Sequence, residues 1–310
     1  MAARPDLIII GQVTIDDVVP ALPGPWQRQM GGSSLYAVAG ARLWLDPARI
    51  GLLARTGRGY PFDAQRVLRN AGLQHIALPS FPREHLIEWL IYEPDGSRRS
   101  LPRNPGALAS GAEGSTCIAP YDHLLADIAP SAELLPPHWL PTAAVHLCPQ
   151  IGSKHRDSLQ YLRGKSDWIS VDPSPHYSRA MSVSGLRHFL DGATALLPSA
   201  QELGELLQTN EPAVLAQQLQ GAGFAEVAIK RGELPVVFAH AGSVQAMPVL
   251  KTQVADPTGA GDSFCGAYAA CRLLGHSPME SVRRAVATAA RVVGCSGVEA
   301  ALELSTPALI

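Results

Sequence analysis

Residues 7–10 read Leu-Ile-Ile-Ile, a strand with no polar face, and Gly11 ends it. A strand that is apolar on both sides must be covered on both sides, which is the condition of a parallel sheet with helices above and below it. Runs of the same character recur at 50–54, 143–148, 168–172, 194–197 and 227–229. A helical pattern separates them, as at 33–45 and at 62–71, the latter closed by Gly72. The alternation predicts an α/β chain with a mostly parallel central sheet. With 310 residues, 46% of them hydrophobic, the chain has the length for one large domain of this kind or two smaller ones. No repeat or low-complexity tract interrupts it. Pro and Gly gather between 102 and 141 as in an irregular connection around one helix, so a single domain over 1–310 is expected.

One segment breaks the alternation. Residues 85–92 are strand-like, Glu93-Pro94-Asp95-Gly96 is a turn sequence, and 98–101 returns as a second strand. Antiparallel strands inserted in a parallel chain project from the core as a flap.

The chemistry concentrates in Ala255-Asp256-Pro257-Thr258-Gly259-Ala260-Gly261-Asp262-Ser263-Phe264. Phe264, Ala267, Tyr268, Cys271 and Leu274 then recur at the spacing of one helix face, and Gly275 closes the run. The Gly-Ala-Gly loop is thereby set on a helix N-terminus, where unpaired N–H groups and the helix dipole favour an anion. Asp262, in the first turn, is positioned to take a proton from an attacking hydroxyl, as phosphoryl transfer to an alcohol requires. Glycine before a helix and Asp in its first turn are by themselves common structural features. Farther along, Ser277-Pro278-Met279-Glu280 reads as a capping box opening a helix to about Gly294.

Several function classes are disfavoured. A net charge of −2, with 17% charged residues, leaves no electrostatic footprint for nucleic acid. The five cysteines (117, 148, 265, 271 and 295) form no Cys-x-x-Cys pair, and buried thiols are expected. No signal-peptide core or membrane-length apolar run is present, so a cytoplasmic setting without a membrane partner is expected. The chain has no P-loop. Residues 57–62 fail as Gly-x-Gly-x-x-Gly because Phe62 holds the third place, which leaves a nicotinamide oxidoreductase as the weakest alternative.

The ten-residue string resembles the C-terminal motif of the ribokinase-like (PfkB-type) sugar and nucleoside kinases, Asp-Thr-Thr-Gly-Ala-Gly-Asp-Ser-Phe, with Pro257 at the second position. The resemblance implies a ribokinase-like three-layer α/β/α sandwich and a β lid built from about 17–30 and 85–104. With Pro20, Pro23 and Pro25 in the first lid segment, the lid is expected to be reduced, and the chain to be a monomer or homodimer. Gly11-Gln12-Val13-Thr14-Ile15-Asp16 is similar to the family's first strand end, which makes Asp16 and Thr14 substrate-binding residues. Gly31 and Gly32 match the pair that starts the first long helix and lets backbone approach a sugar. Tyr36 stands where the family usually has Asn and is assigned to the substrate, although a core tyrosine fits it equally.

On the donor side, Glu202 stands in the place of the family's Asn-x-x-Glu, with Ser199 for the Asn. That implies Mg²⁺ held through water at Glu202, although Ser-x-x-Glu is also an ordinary capping arrangement. Lys230, Arg231 and Gly232, with Thr258 of the motif, are the implied ATP-binding residues. The helical stretch 285–294 resembles the wall of the adenine pocket, and the loop with Asp256 implies a monovalent cation such as K⁺.

The expected function is an ATP-dependent phosphotransferase acting on a hydroxyl of a sugar, a polyol such as inositol, or a nucleoside. Asp262 is its base, and Gly259, Ala260 and Gly261 are its anion hole. Two alternatives use the same fold. One is a non-catalytic sensor, motivated by Tyr36, Ser199 and the short lid; the other is a kinase of a pyridoxal- or hydroxymethylpyrimidine-like vitamin, with its ring on Tyr36 or Trp89.

Overall fold

The computed structural model describes residues 4–19, 25–92, 98–102 and 121–305. In chain order its strands are β1 (Leu7–Ile10), β2 (Thr14–Val19), β3 (Gln27–Gly31), β4 (Ile50–Leu53), β5 (Thr56–Arg58), β6 (His75–Ala77), β7 (Ser80–Glu84) and β8 (Ile87–Tyr92). They continue as β9 (Arg98–Pro102), β10 (Thr142–Leu147), β11 (Ser166–Val171), β12 (Ala195–Leu196), β13 (Glu226–Arg231), β14 (Leu234–His240) and β15 (Ser243–Met247).

The apolar strand at 7–10 lies inside a nine-stranded sheet ordered β15-β14-β13-β12-β11-β10-β1-β4-β6. Leu7 pairs in parallel with Ala144 on one side and Ile50 on the other. Its side chains alternate between two cores. Leu7 and Ile9 pack in one with Leu35 and Val38, while Ile8 and Ile10 pack in the other with Leu159 and Phe224. Each such side chain, fully buried, stabilises the fold by roughly 1.5–3 kcal/mol. The fold is the expected three-layer arrangement around a mostly parallel sheet. Only β14 and β15, a hairpin that the sequence pattern does not announce, run antiparallel at one edge.

Two helices bear directly on the cavity at the sheet's carboxyl edge. Ser33–Ala41 and Ala260–Leu273 lie backbone against backbone, because Gly40 meets the main chain of Ser263 and Gly266 meets that of Ala37. A Cβ at either glycine would overlap the other helix. The expected one-sided apolar face of Ala260–Leu273 does not hold. Every residue from 263 to 271 is buried, whereas Leu274 is 40% exposed beyond the helix end. Wedged between Ser33–Ala41, the helix Pro278–Val292 and the sheet, it has no solvent face to keep polar. Ser277 does accept the N–H of Glu280, but the Glu280 carboxylate turns to Arg283 and Arg284, so the box is half formed.

A second sheet, β3-β2-β8-β9, is the lid. β2 and β8 pair in parallel, with Asp16 opposite Glu88, and β3 and β9 pair antiparallel outside them. The expected small β lid is present, and the short segment 17–30 contributes to two of its strands. The segment's prolines fall between those strands in sequence. Pro20, Pro23, the turn at 93–96, residues 103 and 104, and Cys117 lie outside the described residues.

Candidate active site

A cavity of about 780 Å³ opens where the parallel strands end, beneath the lid. This carboxyl edge is where open α/β sheets bind ligands. Thr14, Asp16, Gly32, Tyr36, Glu202, Lys230, Thr258, Gly259, Ala260, Gly261 and Asp262 all line it, so most of the residues singled out in the sequence converge on one space.

At one end, two adjacent aspartates divide. Asp17 is fully buried and takes two bonds from the Arg28 guanidinium, at 2.8 and 3.0 Å. Asp16 points the other way, into the cavity, and accepts the Thr14 hydroxyl at 2.6 Å. Strand alternation sets this difference. Gly31 serves Asp16 directly, since a Cβ there would overlap its carboxylate. Gly31 is not itself among the lining residues.

Tyr36 crosses from this end to the motif loop. Gly259 caps the helix Ala260–Leu273 in the left-handed region, at φ 74°, and its Cα faces the Tyr36 ring so closely that a Cβ would overlap it. The Tyr36 hydroxyl is buried with no hydrogen-bond partner among the described residues. Burial first, then the charges of Asp256, Asp16, Tyr92 and Asp262, raise its pKa, so it stays a neutral donor.

The loop itself is braced. Asp256 Oδ1 accepts the Thr258 N–H at 2.8 Å and the Tyr92 hydroxyl at 2.5 Å, and that hydroxyl also meets Thr258 Oγ1. Tyr92 belongs to β8, so a lid strand is tied to the motif loop itself. The Ala260 N–H turns back to the Pro257 carbonyl at a long 3.4 Å, while those of Gly259 and Gly261 have no partner among the described residues.

On the opposite side, Lys230 is 8% exposed and ion-pairs with Asp172, with Cys265 Sγ 3.2 Å from its Nζ. Burial opposes the Lys230 charge, but the acidic groups of Asp172, Cys265 and Glu202 raise its pKa and keep it an ammonium. Asp172 Oδ1 is buried without a partner among the described residues and lines the cavity. Glu202 forms a full capping box with Ser199, one carboxylate oxygen accepting the Ser199 N–H. Arg231 and Gly232 stand outside the lining, where β13 turns into β14, and so does the 285–294 stretch, whose Ala285 and Val286 pack in the core with Phe264 and Tyr268. Trp89 is likewise not a lining residue. Sequence reasoning missed Gln12, Glu88, Gln150, Asp172, His176 and Arg179, all of which line the cavity. Asp172 had a usable signal: it is an acid directly after the buried strand β11.

Among the described residues no cluster of three or more His, Cys, Asp or Glu is arranged to hold a metal. Buried Asp172 and half-committed Glu202 suit an ion that keeps its waters and leans on phosphates, which is how Mg²⁺ binds. The free N–H groups of Gly259 and Gly261 suit an anion.

Residues 159–304 match the model of the pfkB family carbohydrate kinases. The match is to a PfkB family domain, and it spans just under half of the chain. The chain's similarity to a cytidine kinase from Thermococcus kodakarensis is 25% identity over 293 residues, 93% of this chain and 96% of that one. The fold matches a ribokinase II from E. coli solved in complex with ATP and Mg²⁺ (TM-score 0.66, 19% identity, 95% and 94% of the two chains). It also matches a Methanocaldococcus jannaschii nucleoside kinase of the ribokinase family (TM-score 0.68, 16% identity, 96% and 95%). The similar proteins are kinases of sugars or nucleosides, and no helix among the described residues of this chain is long and apolar enough to cross a membrane.

Proposed function

We propose that the chain is an ATP-dependent kinase that phosphorylates a hydroxyl of a small polyhydroxylated acceptor. The observation that carries this reading is the convergence of Asp16, Asp262, Lys230 and the Gly259–Gly261 N–H groups on one cavity. Asp16, steadied by Thr14, holds acceptor hydroxyls so that one faces the donor. Asp262 takes the proton of that hydroxyl as its oxygen bonds to the γ-phosphorus and the bond to the β-phosphate oxygen breaks, releasing ADP. A loose transition state releases the proton late, so position rather than unusual basicity is what the reaction asks of Asp262. The loop N–H groups and the Lys230 ammonium face the charge on the transferring group. Asp172 and Glu202 would hold Mg²⁺ through water, and when bound the ion neutralises donor phosphate charge. A four-stranded lid, together with Trp89 outside the lining, weighs against the vitamin-kinase alternative.

The test is ADP release from Mg-ATP with sugars, inositols and nucleosides, for the wild type and Asp262→Asn. The substitution should lower kcat by ~10³-fold or more while leaving acceptor binding and the unfolding temperature close to wild type. Full activity in the variant removes Asp262 as the base, and acceptor binding without any turnover in the wild type favours the sensor. Replacing K⁺ by tetramethylammonium in the same assay tests for a monovalent cation near Asp256.

A further inference from the structure

Gln150 follows β10 and precedes the helix Gly152–Leu162. It lines the cavity and is only 2% exposed, yet neither its amide oxygen nor its amide nitrogen has a hydrogen-bond partner among the described residues. Buried amides are nearly always paired, so one with both ends unmet marks a place where a ligand supplies the partners. The partner must carry a donor beside an acceptor.

The neighbouring wall narrows the choice. Leu90 of the lid, Leu125 and Ile151 line the same cavity, with Leu125 and Ile151 anchored in an apolar cluster that includes Phe81 and Leu86. A polyol presents hydroxyls all round and would leave some of them unmet against these side chains. A nucleoside divides as the cavity does. Its ribose hydroxyls match Thr14 and Asp16, its flat base offers apolar faces to Leu90, Leu125 and Ile151, and the edge of the base offers a donor next to an acceptor. We infer that the acceptor is a nucleoside and that Gln150 reads the hydrogen-bonding edge of its base. The inference rests on the kinase reading for the reaction, but its binding geometry stands apart from it.

The experiment is calorimetric titration of cytidine, uridine, adenosine, inosine, ribose and myo-inositol into the full chain without ATP. ADP release with Mg-ATP is then measured for the same panel. At least one nucleoside should bind about 10-fold or more tighter than ribose and inositol. Gln150→Leu removes both amide contacts, and Gln150→Glu keeps the size but loses the donor; each should cut that preference by ~10–100-fold. Unfolding temperature is followed for both, and the near-isosteric Glu variant serves if the Leu variant does not fold. Ribose or inositol binding as tightly as every nucleoside overturns the inference, as does a preference that survives in a folded variant. Gln150-dependent nucleoside binding without ADP release supports the inference while sinking the kinase reading. ADP release with non-nucleoside acceptors alone does the reverse.

Discussion

The motif loop and the lid face each other across one cavity, and they are built on opposite principles. From Asp256 to Asp262 the working parts are backbone: a left-handed Gly259, unpaired N–H groups, and a helix start. In the lid they are side chains on strands, with Asp16, Glu88 and Leu90 turned inward and Asp17 turned away to Arg28. The loop tolerates almost no change in shape, while the lid can change its side chains and keep its ladder. On the proposed function, that division puts the reaction in the loop and the choice of guest in the lid and its neighbours.

The sharpest way to break the comparison is Gly259→Ala. A methyl group must enter the left-handed region at φ 74° and displace the Tyr36 ring, which lies against the Gly259 Cα. The cost is about 1–3 kcal/mol of backbone strain in addition to the overlap, and kcat/KM should fall ~10²-fold or more as the N–H groups move. Near-normal kinetics would mean that the loop is softer than its geometry requires.

A smaller effect tests the root of the lid. His85 accepts the Gly57 N–H at Nδ1 (2.9 Å) and holds Nε2 3.0 Å from the Val13 carbonyl, so the ring is neutral with its proton on Nε2. Burial pushes its pKa down to about 4 from the ordinary 6.5. The unfolded chain therefore binds the proton first. The stability this ring confers is complete above about pH 6.5 and is lost as pH falls toward 4, by ~1.4 kcal/mol per pH unit. Chemical unfolding of wild type and His85→Gln between pH 7 and pH 5 should show their difference shifting with that slope. Parallel curves would remove His85 from the account.

The smallest effect sharpens the boundary between the two regions. Tyr92→Phe removes the bond from the lid to Asp256 and to Thr258. One such bond is worth about 0.5–1.5 kcal/mol, so a rise of up to ~10-fold in acceptor KM is expected, with kcat less affected. A fall confined to kcat would instead make Tyr92 part of the loop's own geometry.

The contrast also explains what was legible in the sequence. The loop could be read because its parts are contiguous: a glycine pair, an Asp and the helix after them occupy consecutive positions. β1 could be read because an all-apolar strand has one kind of home. Asp16 and Asp17 could not be told apart by composition, since only strand register decides which one faces the cavity. The strand bounds of the lid were hidden because two of its strands flank a proline-rich segment that carries no strand pattern. Glu202 proved to carry the capping role that its spacing also allowed. Gln150 gave no pattern of its own, since what distinguishes it is burial beside a space made by distant segments.

Gly40 and Gly266 let two helices touch main chain to main chain, and one of those helices starts beside Asp16 while the other starts at the motif loop. Neither can slide along the other without a collision. On the proposed function, the pair works as a caliper locked at a single opening, which holds the reach from a bound alcohol to a bound phosphate constant. On that reading, side chains elsewhere in the pocket can be exchanged, and its guest changed, without altering the distance over which the reaction takes place.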